Sequence, residues 1–409
     1  MRVKYFRFSA FIGATIAAVG LFVFSCGAPS TRYDPKAYSL MVFREERTRE
    51  GLVLRLSRDY ASVFGSWEET ERGTYGIAEG EAKDDGTIRL HLYGSGQGYL
   101  VGTFEGRYES GERVIEGEVS YSVPESRVDD EAAVGEAPAT PSAVARPLAE
   151  RRKVRFLSEP SEVADLFALR LRDTTKNGLP ADSTEPTRFI YTGFEFKTPR
   201  SFRDWYRTTF QGGSPIGKAM AIERDAFFSD FGEAAKAFTE ADPQIPVHPW
   251  YYEGRQFIGF STPRLFLMGL RLATYTGGAN GNSGIRYALI DRRDARILGP
   301  GDFFADGWEK AIPSLLESRA RIILGLEPGS SLKQAGFFED TLPLGGNFFL
   351  TSSGFGFHYN SYEVAPGVYG DFWIVLPWAD IEDILKPGAL DSYGLGALRP
   401  NGGGGTGSP

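Results

Sequence analysis

The chain has 409 residues, 42% hydrophobic and 24% charged, which supplies apolar material for more than one buried core and is too balanced for a wholly disordered chain. Gly 50 of 409, about 12% against a usual share of roughly 7%, stands beside 14% aromatics, a pairing that favours turn-rich sheets packed on rings over a helix bundle. One cysteine excludes an internal disulfide, three histidines (His91, His248, His358) leave a zinc site of the usual kind short of ligands, and a net charge of -8 opposes nucleic-acid binding, so no cofactor, metal or nucleic-acid partner is expected.

Met1 to Arg7 are basic, and Phe8 to Phe24 form an uncharged apolar run, the order of a secretory signal. The run ends Val23-Phe24-Ser25-Cys26-Gly27, similar to a bacterial lipobox in which the cysteine is lipidated and becomes the new amino terminus. An uncleaved anchor is the alternative, since this run is at the lower limit for spanning a bilayer. Residues 1–25 are therefore read as a lipoprotein signal peptide, Cys26 as the lipidation site and 26–38 as a tether. Losing Arg2, Lys4 and Arg7 with the leader takes the charge from -8 to -11. The body is expected at the bacterial cell envelope, extracytoplasmic (periplasmic or surface-exposed) and membrane-anchored through lipid chains.

Over 39–124, short β-type runs with period-two alternation are punctuated by glycine, and Asp84-Asp85-Gly86 and Ser110-Gly111-Glu112 supply hairpin turns. This spacing predicts an antiparallel meander of about six strands. Residues 125–152, rich in Ala, Pro and charge, read as a linker. In the body, 153–390, strands are predicted at 189–196, 264–276, 285–291, 347–351, 355–359 and 371–376. Ser201-Phe-Arg-Asp204 has capping-box spacing, and 220–238 places Phe227, Phe231, Ala235 and Phe238 on one helical face. Asp306-Gly-Trp-Glu309 is a second cap of that form, opening a helix with Ile312, Leu316 and Ile323, and Pro377-Trp378 starts a short helix to Leu385. The tail 391–409 is glycine-rich and read as disordered. The class is α+β: an N-terminal meander module followed by a mixed sheet-and-helix domain.

Tyr275-Thr-Gly-Gly-Ala-Asn-Gly281 lacks the lysine and the following helix of a phosphate loop and reads as a tight strand connection. His358 lies near Glu363, the pattern of an oriented general base, but on a strand it faces away from Phe357 and Tyr359 and is read as a neutral histidine with a backbone partner. His248 sits in a rigid extended stretch, and His91 is expected to face solvent. No nucleophile elbow and no His-Glu-x-x-His occurs, and Ser330-Ser-Leu-Lys333 lacks partner motifs. Adjacent acids such as Glu68-Glu69 and Asp129-Asp130 read as solvated surface.

Four stretches carry a resemblance: Tyr275-Thr-Gly-Gly-Ala-Asn280; Tyr287-Ala-Leu-Ile-Asp291 with Gly301-Asp-Phe-Phe304; Phe355 to Pro366; and Gly370 to Pro377. In order and spacing they resemble the DUF4163/DUF3298 family, found in the secreted part of a lysozyme-responsive anti-sigma factor and in the accessory region of a peptidoglycan deacetylase. The resemblance runs from about Phe189 to Leu385. The chain departs from the pattern at Asn280, where histidine is usual, and at Asn360-Ser361-Tyr362, where asparagine-proline-tyrosine is usual. The resemblance implies ligand binding in the envelope, with lysozyme recognised by some members. The expectation is a non-enzymatic lipoprotein that binds a cationic protein such as one of lysozyme type or a peptidoglycan-type ligand, with Tyr359, Tyr362, Glu363, Tyr369 and Trp373 as candidate contacts; the alternative is an envelope hydrolase acting on peptidoglycan or glycan.

Overall fold

The computed structural model describes residues 38–46, 51–59, 62–70, 73–95, 100–109, 114–122, 148–159, 166–175, 186–197, 199–241, 247–278 and 281–398. The signal segment, Cys26, most of the tether, 123–147, Asp129-Asp130 and 399–409 lie outside them. The chain forms two compact units, one including Glu162–Phe257 and Ser261–Gly299, the other Leu40–Ser161, Ile258–Phe260 and the chain from Pro300 onward.

The second unit begins with a closed antiparallel barrel of β1 (Tyr38–Glu45), β2 (Leu52–Asp59), β3 (Ser62–Glu69), β4 (Thr74–Ala82), β5 (Thr87–Gly94), β6 (Leu100–Glu109), β7 (Val114–Ser122) and β8 (Leu148–Glu159). Alternate residues such as Leu52, Leu54, Leu56, Ile88, Leu90, Leu92, Val154 and Phe156 fill its interior. Glycines make room for the largest of them: a Cβ at Gly106 would stand 2.5 Å from the Phe104 ring, and one at Gly117 2.7 Å. Outward residues on β5 to β8 pair across strands, as in Arg89–Glu105, Arg151–Glu118 and Arg155–Glu116, so this side faces water.

β8 corrects two expectations. It pairs with both β7 and β1 and closes the barrel, so the boundary expected at 152/153 falls inside a strand. Its alternation was obscured by charge: Arg151, Lys153 and Arg155 fall on one side, Val154 and Phe156 on the other. It also joins the meander's two edges, so the expected meander of about six strands is a closed barrel of eight.

The other unit is a six-stranded sheet in the order β14-β13-β12-β11-β10-β9. Its strands are β9 (Leu166–Thr175), β10 (Thr187–Phe196), β11 (Tyr251–Ser261), β12 (Leu265–Tyr275), β13 (Asn282–Asp291) and β14 (Arg296–Leu298). Helices α1 (Arg200–Phe210) and α2 (Ile216–Ala241) connect β10 to β11, the parallel pair. Ile216, Met220 and Phe227 of α2 pack on Phe189 and Tyr191 of β10. Phe227, Phe231 and Ala235 are buried as expected, but Phe238 is 51% exposed because the apolar stripe ends before it. Ser201 does not cap α1: Pro199 occupies the cap in extended conformation with no side-chain bond, leaving Ser201 in the first turn. Thr274 pairs with Asn282 at the end of β12 and β13; of the tight connection expected between them, Ala279 and Asn280 lie outside the described residues.

After Pro300 the second unit continues with α3 (Trp308–Ile323), a three-stranded antiparallel sheet of β15 (Phe348–Leu350), β16 (Gly354–Tyr359) and β17 (Phe372–Pro377), and short helices α4 (Trp378–Ile381) and α5 (Ala389–Ser392). Asp306 does not cap α3; Gly307 turns into it with φ 88°. The tail expected to be disordered from 391 is packed as far as 398, since Tyr393 and Leu395 are buried and the Tyr393 ring lies 4.7 Å from Phe303. Helices and strands in this mixture make the class α+β.

Candidate functional site

The barrel and the three-stranded sheet meet inside their shared unit at a buried carboxylate. Glu68 and Glu69, expected on a solvated surface, are both buried. Successive strand residues face opposite ways, so each acid acquires its own surroundings. Glu69 joins Glu45, Tyr121 and Arg152, with Arg152 2.5 Å from Glu45 and 3.7 Å from Glu69. Glu68 faces outward, 3.1 Å from Arg55, and accepts the amides of Ser352 at 2.6 Å and Ser353 at 3.2 Å. Those serines form the turn from β15 to β16. This contact fixes where β16 and the loop after it begin.

At the other end of β16, His358 is fully buried. Asn347 Nδ2 donates to its Nδ1 at 2.8 Å, and its Nε2 lies 3.2 Å from Asp371 Oδ2. Its ring stacks on Trp373 with centroids 4.8 Å apart. The expected backbone partner is thus replaced by two side chains, and the carboxylate beside it is Asp371, not Glu363, because β16 and β17 pair His358 with Trp373 and bring the loop end alongside. The other oxygen of Asp371 accepts the Ser361 amide at 2.8 Å and hydroxyl at 2.9 Å. Burial pushes the Asp371 carboxyl up, but the hydrogen bond and charge of His358, with both Ser361 donors, outweigh it and hold it below the usual carboxylate value. The carboxylate stands between imidazole and hydroxyl, so the Ser361 hydroxyl donates its hydrogen bond to Asp371 and not to His358. The cluster pins a loop.

What it pins is Tyr362. This residue has φ 69°, a left-handed conformation that non-glycine residues rarely adopt, and is 70% exposed. Asp371 holds Ser361 on one side of it; on the other, Glu363 accepts the amide of Asn360 at 3.1 Å and its side-chain NH2 at 3.2 Å. Its ring lies over Gly367, where a Cβ would stand 2.3 Å from it. Strain of this kind at an exposed aromatic points to use of the side chain. Val368 and Phe338 are also exposed, and the Phe338 amide donates to Val364, tying their loops together. Exposed Glu339, Asp340 and Glu363 border these groups.

The five candidate contacts separate accordingly. Tyr362 and Glu363 are exposed, and Tyr369 is half-buried with its hydroxyl over Gly336. Tyr359 and Trp373 are interior: the Tyr359 hydroxyl donates to Pro343 C=O at 2.7 Å, burial raises its phenol, and the Trp373 amide donates to Ser95 at 2.7 Å. They face inward because the loop, not the strands, carries the surface. Phe338, Val368 and Asp371 were missed; the only signal for the first two was apolar residues beside glycine and acids, and Asp371 needed the β16–β17 register. His91 and His248 are exposed. Among the described residues no group of three or more His, Cys, Asp or Glu is placed to hold a metal ion, and no helix is long and apolar enough to cross a membrane.

Residues 301–379, which carry α3, β15 to β17 and the Tyr362 loop, match the family described as "Protein of unknown function (DUF3298)". Among solved structures the chain is similar to a DUF3298-family member from Bacteroides fragilis, 17% identical, TM-score 0.50, covering 56% of this chain and 96% of its own. Another, from Pseudomonas aeruginosa, is 16% identical with TM-score 0.40 and covers 55% and 95%. No curated protein matches the sequence. The resemblance read from the sequence is thus supported over 301–379 by the family match, and the Bacteroides structure adds a likeness of fold alone.

Proposed function

We propose that the chain is a lipid-anchored protein of the bacterial envelope that binds a cationic protein through the Tyr362 loop, with lysozyme-type muramidases the first candidates. The carrying observation is Tyr362 itself, an exposed aromatic in a left-handed conformation braced by Asp371 and Glu363. An aromatic anchor supplies contact area, and the acids Glu339, Asp340 and Glu363 supply the sign that attracts a basic partner. Anchoring rests on the leader and on Cys26.

The test is calorimetric titration of the mature chain with lysozyme at low and moderate salt. Binding should be detected, should associate more slowly as the Debye length falls below about 8 Å, and should weaken by roughly 1–3 kcal/mol, the range for an interface aromatic, in Tyr362→Ala. Absence of heat at either salt, or a Tyr362→Ala isotherm identical to wild type, would overturn the reading.

A further inference from the structure

β17 is an end strand of its sheet, so the backbone groups on its outer side need partners from elsewhere. At Trp373 one hydroxyl supplies both. Ser95 Oγ accepts the Trp373 amide at 2.7 Å and donates to the Trp373 C=O at 2.5 Å, the acceptor and donor that a neighbouring strand would have offered. Ser95 follows β5 at the rim of the barrel, where the barrel core fixes it. Trp67, buried in that core, donates from Nε1 to Tyr93 C=O at 2.9 Å, and a Cβ at Gly94 would stand 3.3 Å from its ring.

The Trp373 backbone turns toward Ser95, and the amide of its register partner His358 turns the other way, to Asn347 C=O at 2.8 Å. The two are therefore a non-hydrogen-bonded pair, the kind in which side chains of an antiparallel ladder approach most closely, and their rings stack 4.8 Å apart. From His358 the contacts leave the strands. Its Nε2 lies 3.2 Å from Asp371 Oδ2, and Asp371 Oδ1 accepts the amide and hydroxyl of Ser361, the residue before Tyr362. Ser95 to Trp373, Trp373 to His358, His358 to Asp371 and Asp371 to Ser361 thus form an unbroken series from the barrel rim to the left-handed residue, every member buried or half-buried.

We infer that Ser95 is a positioning residue for the Tyr362 loop, through which the barrel sets the conformation that a partner meets. Without the hydroxyl, the Trp373 N–H and C=O must turn toward water, and the indole moves off the imidazole. The bond from His358 to Asp371, the longest hydrogen bond of the series, then gives first and frees Ser361. The consequence for binding rests on the function proposed above; the coupling between Ser95 and Ser361 does not.

Hydrogen exchange of the mature chain tests the coupling, and calorimetric titration with lysozyme tests its use. Ser95→Ala should speed exchange of the Ser361 amide roughly threefold or more, while the amides of Leu90 and Phe104 in the barrel exchange as in wild type. Ser95→Thr, which keeps the hydroxyl, should restore the wild-type rate. Ser95→Ala should also weaken lysozyme binding by roughly fivefold, and the loss should vanish in an Asp371→Ala background, where the series is already cut. An unchanged Ser361 rate in Ser95→Ala would overturn the inference by showing that water replaces the hydroxyl. Equal acceleration at Leu90 and Phe104, or no rescue by Ser95→Thr, would overturn it by showing a general loss of structure. A wild-type chain that gives no heat with lysozyme removes the proposed function, and the exchange rates still decide the coupling.

Discussion

Glu68 accepts the Ser352 amide at 2.6 Å across 284 positions of sequence, with Arg55 as its ion-pair partner 3.1 Å away. The barrel and the three-stranded sheet therefore share a buried charge. Glu68→Ala removes the acceptor of two amides and the carboxylate partner of Arg55, which is 4% exposed. Breaking a buried pair from one side costs about 3–5 kcal/mol. Urea unfolding of this variant should show a loss of that size; a loss under about 1 kcal/mol would mean that water replaces the carboxylate.

A chain starting at Lys153 should not fold cooperatively. It lacks β1 to β7, retains only part of β8, and strips the β15–β16 turn of Glu68 and Phe349 of its ring contact with Tyr75, 4.6 Å away. A chain starting at Tyr38 should fold. Differential scanning calorimetry of the two separates these outcomes, and a sharp transition in the shorter chain would show that the second unit survives without its barrel.

The strands most readable in the sequence were those whose apolar alternation is uninterrupted, such as Thr87 to Gly94, or whose apolar run is continuous, such as Phe372 to Pro377. β8 and β11 were not, since Arg151, Lys153 and Arg155 in one and Glu253 and Arg255 in the other give charge where a strand was sought. Helix ends were misread where Pro199 and Gly307 set the backbone directly and left the neighbouring polar side chains without a capping role. Of the loop, Tyr362 and Glu363 were legible as turn residues. Asp371 was not, because its importance comes from pairing between strands, which no local pattern encodes.

The Asp371 network should make stability depend on pH in a defined direction. Its folded carboxyl binds a proton less readily than in the unfolded chain, so its contribution is fully present above the ordinary carboxylate value of about 3.9 and is lost as pH falls through the lower folded value. Asp371→Asn should therefore lower Tm at pH 7, and the gap to wild type should close below pH 4. A gap that stays constant from pH 7 to pH 3 would show that the carboxylate charge is not what braces the loop.

Cys26→Ala should leave the precursor unlipidated and, in cell fractionation, release it from the membrane or hold it there uncleaved. Metabolic labelling with a fatty-acid analogue reads this directly. Label retained in the variant would place the anchor elsewhere.

Tyr362→Gly should separate stability from binding. Tyr362 has φ 69° and is 70% exposed, so glycine relieves a left-handed conformation costing about 1–2 kcal/mol while giving up little buried area. Glycine also has more freedom to lose on folding, by roughly 0.5–1 kcal/mol, which offsets part of the gain. The net expectation is unchanged or higher stability, by up to about 1 kcal/mol, together with loss of the cationic partner. Such a trade is the signature of a residue kept for contact at the expense of the fold. Paired urea unfolding and calorimetric titration measure both quantities on one sample. A variant that is less stable by more than about 1 kcal/mol would show that the ring on Gly367 is structural packing, and one that binds as wild type would remove Tyr362 from the interface.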